Sequence, residues 1–461
     1  MEQIEIIRAG ADYRSRHRDV LRDVSNTPVA DLGLAPALLV RLAVEELHQA
    51  GPAPDDRHRL EVIARAGRAF AEDTLGDESP DAYCRKQARL SGVPVRAARR
   101  TLATVARATA ELPTALQGQR PPATLRDGAS WARRGRSLAV HAPGNHPLPH
   151  LEWLPALALG FKIALRPSRR DPYTPRRLMR ALLGAGLDPT ALAFLPTDHA
   201  CANSLTRHAD LGLVYGGPDV VAAHAADPTV RVQGPGRSKI LLTADVDWAD
   251  HIDLLAESVA ADGGVQCLNT TLILAEEGTD HRALAHALAE RLAQLPDLPP
   301  EHPDAALPAR PLTEAQAVAN RLQSLAGTEL LTPRSELVTD LADGSALLRP
   351  AVSCVSEPDG VRRAVEFPFP CVWVAPWHRP AGLAPLTDTL ALTLLSHDGD
   401  LATQCAAAPS IRTVHLGPQP TTAYQTQLPH DGYLSGFLME ARTFAQHWVP
   451  SQPGLRTEVP A

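Results

Sequence analysis

The chain has 461 residues, 44% of them hydrophobic and 21% charged, with a formal net charge of −7. That length exceeds one simple core and suits two or three domains, and that much apolar material excludes a globally disordered chain. The negative balance argues against a nucleic-acid partner, which calls for a basic surface, and with aromatics at 4% the core must rest on Leu, Val, Ile and Ala.

The opening Met1-Glu2-Gln3-Ile4-Glu5 lacks the positive start and apolar block of a signal peptide. Residues 1–120 are expected to be a mostly helical segment packing on the domain that follows. Residues 41–47 and 60–66 carry apolar side chains at helical spacing, Gly92-Val93-Pro94 interrupts, and helix resumes over 96–110. The basic stretch 85–100 reads as a solvated helix face. From Leu138 the pattern changes to short apolar strands, at 138–142, 162–165, 191–195, 211–215 and 239–243, with helices between them. One helix spans 175–183, where Thr174 is expected to cap and Pro175 to take the first helical position. Such alternation implies a parallel sheet covered by helices, with ligands at the C-terminal ends of its strands. The apolar run 151–165 is interrupted by Glu152, Pro155 and Lys162 and is too short to span a membrane. A second alternating block has a helix at 248–261 and a strand at 270–274. A proline-rich loop covers 295–311, and Thr313-Glu314-Ala315-Gln316 is a capping box opening a helix that ends near Gly327. The tail from about 416 has few helical signals before Ser435 and is expected to pack on another subunit.

The six cysteines (84, 201, 267, 354, 371, 405) lie far apart with no CxxC pair. That argues against a disulfide framework or a zinc site and for a reducing, cytoplasmic setting. No GxSxG elbow is present. Gly234-Pro235-Gly236-Arg237-Ser238-Lys239 lacks the spacing of a phosphate loop. His141, His146 and His150 cluster around Asn145 without a carboxylate or cysteine to complete a ligand set, so no metal is expected and ordinary packing accounts for them. Gly263-Gly264-Val265-Gln266-Cys267 falls between a helix and a strand. Two glycines let the backbone pass close to a ligand, although alone the cysteine reads as a small buried hydrophobe.

Five segments, in order, resemble the aldehyde dehydrogenase superfamily over roughly residues 138–440. Pro143-Gly144-Asn145-His146-Pro147-Leu148 resembles the family's Pro-Trp-Asn-Phe-Pro segment. Ala164-Leu165-Arg166-Pro167-Ser168-Arg169 is similar to its strand end at the adenosine ribose. Val214-Tyr215-Gly216-Gly217 is similar to its Phe-Thr-Gly-Ser turn over the cofactor pyrophosphate. Gly264-Val265-Gln266-Cys267 resembles its nucleophile segment, and Glu366-Phe367-Pro368-Phe369-Pro370 its Glu-x-Phe-Gly-Pro segment, whose glutamate holds the nicotinamide ribose. The resemblance implies an α/β fold with a helical N-terminal segment (1–120), a Rossmann-type NAD(P)-binding domain (121–246), an α/β catalytic domain (247–415) and a C-terminal return and oligomerisation segment (416–461). It implies Cys267 as nucleophile and Asn145 as oxyanion donor. Cofactor contacts fall to Arg166, Ser168, Arg169, Gly216, Gly217 and Glu366.

Where hydrolytic members carry the glutamate of Glu-Leu-Gly-Gly as general base, this chain has Gln233, 34 residues before Cys267. An amide cannot take a proton from water. This is similar to acylating members, in which a thiol resolves the intermediate. Ser91-Gly92-Val93-Pro94-Val95-Arg96 and Pro429-His430-Asp431-Gly432-Tyr433-Leu434 resemble the long-chain acyl-CoA reductase branch of bacterial luminescence, with relatives in phenazine and other secondary-metabolite pathways. The expected function is NADPH-dependent reduction of an acyl thioester (acyl-CoA or carrier-bound) to an aldehyde through an acyl-cysteine. NADPH rather than NADH is expected because Arg169 stands where NAD-preferring relatives carry a carboxylate. An acid-activating ligase as partner and a homo-oligomer are implied, without nucleic acid or membrane. NAD(P)-dependent oxidation of an aldehyde to an acid, and a non-catalytic relative, remain the alternatives.

Overall fold

The computed structural model describes residues 1–120, 129–326, 329–357 and 365–443. The chain opens with five short strands, β1 (Glu2–Ile4), β2 (Ile6–Arg8), β3 (Ala11–Tyr13), β4 (Arg18–Arg22) and β5 (Pro28–Gly33). The expected mostly helical segment therefore opens with strands that the sequence reading did not include. Strands of three to six residues are too short to show a period, yet Ile4, Ile6 and Leu32 are fully buried in them. Four helices follow, α1 (Ala37–Gln49), α2 (Asp56–Glu72), α3 (Pro80–Ser91) and α4 (Val95–Gln117). They contain the helical windows read from the sequence, and α4 runs seven residues beyond its expected end at Ala110, with Pro113 inside it.

A seven-stranded sheet comes next. Its parallel body is β7 (Ser137–His141), β8 (Lys162–Arg166), β9 (Leu192–Phe194), β10 (Leu211–Tyr215) and β11 (Val230–Gln233), reached after β6 (Ala129–Arg133). The order is β11-β10-β7-β8-β9-β2-β3, with β2 and β3 antiparallel at one edge. The N-terminal strands thus complete this sheet. Along β7, Leu138 and Val140 join one core cluster and Ala139 another; along β8, Ile163 and Leu165 join the first and Ala164 the second. Successive side chains point to opposite faces, and both faces are covered, as a parallel sheet requires. Helix α6 (Tyr173–Gly184) is capped at its start by Asp171, whose Oδ1 accepts from Thr174 N at 3.0 Å. Thr174 lies within the helix, and its hydroxyl meets the Tyr83 hydroxyl at 2.8 Å, which corrects its expected capping role.

The second sheet is wholly parallel, in the order β17-β18-β13-β12-β19-β20. It comprises β12 (Ser238–Leu242), β13 (Thr270–Glu276), β17 (Ala351–Cys354), β18 (Cys371–Trp377), β19 (Thr389–Leu395) and β20 (Ile411–Leu416), while β14 (Ala309–Pro311), β15 (Val338–Asp340) and β16 (Ser345–Leu348) form a small antiparallel sheet of their own. Because β12 already belongs to it, the change of sheet falls at 234–237, ahead of the boundary expected at 246. Ile240 and Leu242 face one core cluster and Leu241 the other. The tail returns to the chain's own surface: β21 (Met439–Thr443) pairs antiparallel with β6. Among the described residues no helix is long and apolar enough to cross a membrane.

Candidate active site

In the first sheet β7 begins the parallel set, β8 and β9 extend it to one side, and β10 and β11 to the other. The loops leaving β7 and β10 therefore diverge, and the gap between them admits a ligand. Asn145 lies in the loop after β7, Gly216 and Gly217 follow β10, and Gln233 ends β11. A cavity of about 940 Å³ opens there, lined by all four together with Cys267 and Glu366.

Cys267 sits on a loop that the backbone can form only with help. Asp262, Gly263 and Gly264 have φ of 53°, 85° and 66°. Glycine takes that conformation without strain; an aspartate must be held in it. Space is equally tight. A Cβ on Gly264 would come 2.4 Å from Pro370 N, and one on Gly236 would come 1.9 Å from Cys267 O. The Gly234–Gly236 segment is the wall against which the Cys267 segment packs. Ser238 Oγ donates to Cys267 O at 3.0 Å.

Asp262 is held by an ionic and hydrogen-bonded net. Its side chain is 1% exposed, and its Oδ2 accepts from His146 Nε2 at 3.1 Å and from Gln266 Nε2 at 2.7 Å. Leu148 N donates to His146 Nδ1 at 3.1 Å, so the imidazole proton sits on Nε2 and points at the carboxylate. Arg100 lies 3.6 Å from Oδ1. Burial pushes the Asp262 pKa up, but the His146 hydrogen bond and the charges of Arg100 and Arg96 outweigh it and hold the carboxyl below its ordinary value. Arg96 belongs to the Ser91–Arg96 motif at the start of α4, and Val93, Ala97 and Val265 form a small apolar cluster of their own. That motif therefore buttresses the nucleophile loop. Asn145, beside His146, donates from Nδ2 to Val265 O at 2.7 Å. A side-chain amide has two N–H groups, so one remains for an oxyanion.

The electrostatics at the sulfur oppose ionisation. Burial, then the carboxylates of Glu366, Asp431 and Glu152, push the Cys267 thiol up to about 12. Glu366 is itself raised by burial, against the backbone N–H of Arg237, which donates to its Oε1. The last wall of the cavity comes from the segment around His430 and Asp431. Arg231 clamps it: the guanidinium donates to the carbonyls of Asp431, Gly432 and Tyr433 and stands 3.6 Å from the Asp431 carboxylate.

Arg166, Ser168 and Arg169 do not reach the cavity wall. They lie at the C-terminal end of β8, beside the loop after β7. A Cβ on Gly144 would meet Ser168 Oγ at 2.1 Å. Arg166 Nε is buried without a hydrogen-bond partner among the described residues. Arg169 is half exposed and paired with Asp19 at 3.0 Å; such pairs are weak and readily exchanged. The three histidines have separate surroundings. His146 meets Asp262, His150 lies 3.4 Å from buried Asp171, and burial lowers His141 to about 4. The spacing of motifs found Cys267, Asn145, Gln233 and Glu366. It missed Asp262 and His146, whose pairing joins positions 116 apart, and it missed Glu152, visible only as a charge breaking an apolar run.

Residues 20–358 match the aldehyde dehydrogenase family. N-succinylglutamate 5-semialdehyde dehydrogenase of Shigella flexneri is 26% identical over 265 residues, which is 54% of this chain and 53% of that one. The chain thus spans about half the length of the curated relatives it matches. Among solved structures, an indole-3-acetaldehyde dehydrogenase complexed with NAD+ superposes with a TM-score of 0.82 at 16% identity, covering 96% of each chain. The aldehyde dehydrogenase KauB of Pseudomonas aeruginosa gives 0.81 at 15%, again covering 96% of each.

Asp262→Ala leaves buried partners uncompensated and should cost about 3–5 kcal/mol, read from the urea unfolding midpoint; an unchanged midpoint would contradict the net. Because the folded Asp262 pKa is depressed, its contribution is present above the unfolded value and is lost as pH falls through the folded one. Asp262→Asn should therefore flatten the decline of stability below about pH 4. At the sulfur, Glu366→Gln removes the largest charge raising the thiol. Cys267 should then alkylate faster with iodoacetamide at pH 8, about tenfold per unit by which its pKa falls. An unaltered rate would detach Glu366 from the sulfur.

Proposed function

Because the chain belongs to the aldehyde dehydrogenase family, we propose that it reduces an acyl thioester, acyl-CoA or carrier-bound, to an aldehyde through an acyl-Cys267 intermediate, with NADPH as reductant. The observation that carries this reading is Gln233: a neutral amide lines the cavity with Cys267, where the resemblance to hydrolytic members implies a water-activating carboxylate. Without a base, water is a poor nucleophile near neutrality. A thiol entering or leaving needs none.

The residues fit a dinucleotide. Space above Gly217 is open to at least 4 Å, and the buried, unpartnered Nε of Arg166 awaits an acceptor at the adenosine end. When bound, the reduced cofactor supplies hydride. The rest is done by the chain. Cys267 Sγ forms a bond to the acyl carbonyl carbon as its proton leaves. The oxyanion is met by the free N–H of Asn145 and by the Cys267 backbone N–H. The bond to the departing thiol breaks, and that thiolate takes up the proton. From the thiohemiacetal alkoxide the oxygen would re-form the carbonyl as the C–S bond breaks, releasing aldehyde and the Cys267 thiolate, which takes up a proton from solvent. Glu366 orients the nicotinamide ribose, exchanging the Arg237 N–H for it.

A second reading is oxidation of an aldehyde to an acid. Glu366 and Glu152 line the same cavity and are carboxylates with raised pKa, the property a replacement base needs. The two readings part on one assay. The first expects acid formation from aldehyde and NADP+ to be slow and thioester formation with CoA faster. Gln233→Glu should raise CoA-independent acid release by about tenfold or more, within the usual contribution of a positioned base. Rapid CoA-independent acid formation by the parent protein would favour the second.

For the cofactor, Arg169 can leave Asp19 for a 2′-phosphate, which a guanidinium binds in bidentate fashion. NADPH should exceed NADH in kcat/KM, and Arg169→Glu should erase or reverse that order. Equal values in the parent would contradict the assignment.

A further inference from the structure

The cavity has a polar corner that the chemistry above leaves without a task. Glu152 follows the turn at Leu148–Leu151, Tyr215 ends β10, and His430 lies in the segment clamped by Arg231; all three line the cavity. The Tyr215 hydroxyl and His430 Nδ1 are shut off from solvent and have no hydrogen-bond partner among the described residues. Nor does the Glu152 carboxylate find one there; burial raises its pKa, and His430 is the strongest charge acting on it. Burial also carries Tyr215 well above its ordinary value, with Glu152 and then Cys267 the strongest charges acting on it. Glu152 is thus within electrostatic reach of His430, Tyr215 and the sulfur, and Tyr215 of the sulfur.

A buried polar group without a partner costs about 1–3 kcal/mol. Such groups are rare in folded proteins, and the Tyr215 hydroxyl and His430 Nδ1, in a cavity that Glu152 also lines, mark a place where something else completes them. The chemistry of that something is constrained. Glu152 as an anion only accepts, and Tyr215 as a neutral phenol both donates and accepts. A hydrocarbon chain satisfies neither. A chain ending in a carboxylate faces Glu152 as a like charge, and Asp431 adds to the same sign.

We propose that Glu152, Tyr215 and His430 form a subsite for a hydroxyl or ammonium group carried on the substrate's chain, a few carbons from the carbonyl that Cys267 attacks. Such a group donates to Glu152 while Tyr215 donates to the hydroxyl oxygen or accepts from the ammonium. The assignment rests on the reading of Cys267 as nucleophile, and its use of thioester probes rests on the acylating reading.

The test measures binding by calorimetry to the full-length Cys267→Ala protein, which holds substrate without turning it over. The probes are butyryl-CoA, 3-hydroxybutyryl-CoA, 4-aminobutyryl-CoA and succinyl-CoA, and in parallel the aldehydes corresponding to the first three. The hydroxy or amino probe should bind about tenfold tighter than the plain chain, the ratio of one net hydrogen bond, and succinyl-CoA should bind weakest. Glu152→Gln and Tyr215→Phe, made in the same background and checked for an unchanged thermal midpoint, should each shrink that gap while leaving butyryl-CoA affinity as it was. If the thioesters bind without preference, the subsite is wrong and the acylating reading stands. If only the aldehydes bind, with the preference, the subsite stands and the acylating reading falls. Absence of preference in both series, or a gap that survives both substitutions, overturns the proposal.

Discussion

A carboxylate with 1% of its side chain exposed joins two loops that belong to different sheets. Asp262 lies on the nucleophile loop and His146 on the loop that carries Asn145. The hydrogen bond between them, with Gln266 on the same oxygen, ties the loop of Cys267 to the loop of Asn145. The left-handed backbone at 262–264 is affordable only because that carboxylate is anchored, and Arg96 and Arg100 of α4 keep it charged. The helical N-terminal region is thereby part of the site: it supplies the cations that stabilise an anion in the interior, and Val93 and Ala97 that pack on Val265. Removing water from such a group is costly unless every neighbour is in place, so the loops are either both correct or both displaced.

The same economy of charge explains Gln233. Burial and three carboxylates already raise the Cys267 thiol to about 12. A fourth, at the end of β11, would push the sulfur further from its reactive form. A neutral amide spares it, in keeping with the proposed transfer between thiols. The polar corner at Glu152 and Tyr215 belongs to this balance. Its charge acts on the sulfur, and its unmet hydrogen bonds are what the proposed subsite would use.

Much of this was legible before the fold was in view. The alternation from Leu138 onward gave strands in the right places because residues on both faces of a parallel sheet are buried, and the run of apolar residues in β10 or β12 shows it. Cys267, Asn145, Gln233 and Glu366 converge because their motifs hang from strand ends, and strand ends share an edge. Other features were hidden for stated reasons. The strands at 2–33 are too short to carry a period. The Asp262–His146 bond spans 116 positions and has no local signature. The Thr174 cap failed because Asp171, three residues earlier, was the better-placed acceptor. The partner of Arg169, Asp19, comes from a segment that only the sheet order brings near.

The claim at the centre is that Cys267 becomes acylated. Incubating the protein with an acyl-CoA in the absence of reduced cofactor, then digesting it under mildly acidic conditions and sequencing the peptides by mass spectrometry, reads this directly. The expected result is one acyl group per chain, on the peptide containing Cys267, with Cys84, Cys201, Cys354, Cys371 and Cys405 unmodified, and its removal on adding excess free CoA. A chain that stays unmodified while it turns over substrate, or that carries the acyl group on another residue, contradicts it.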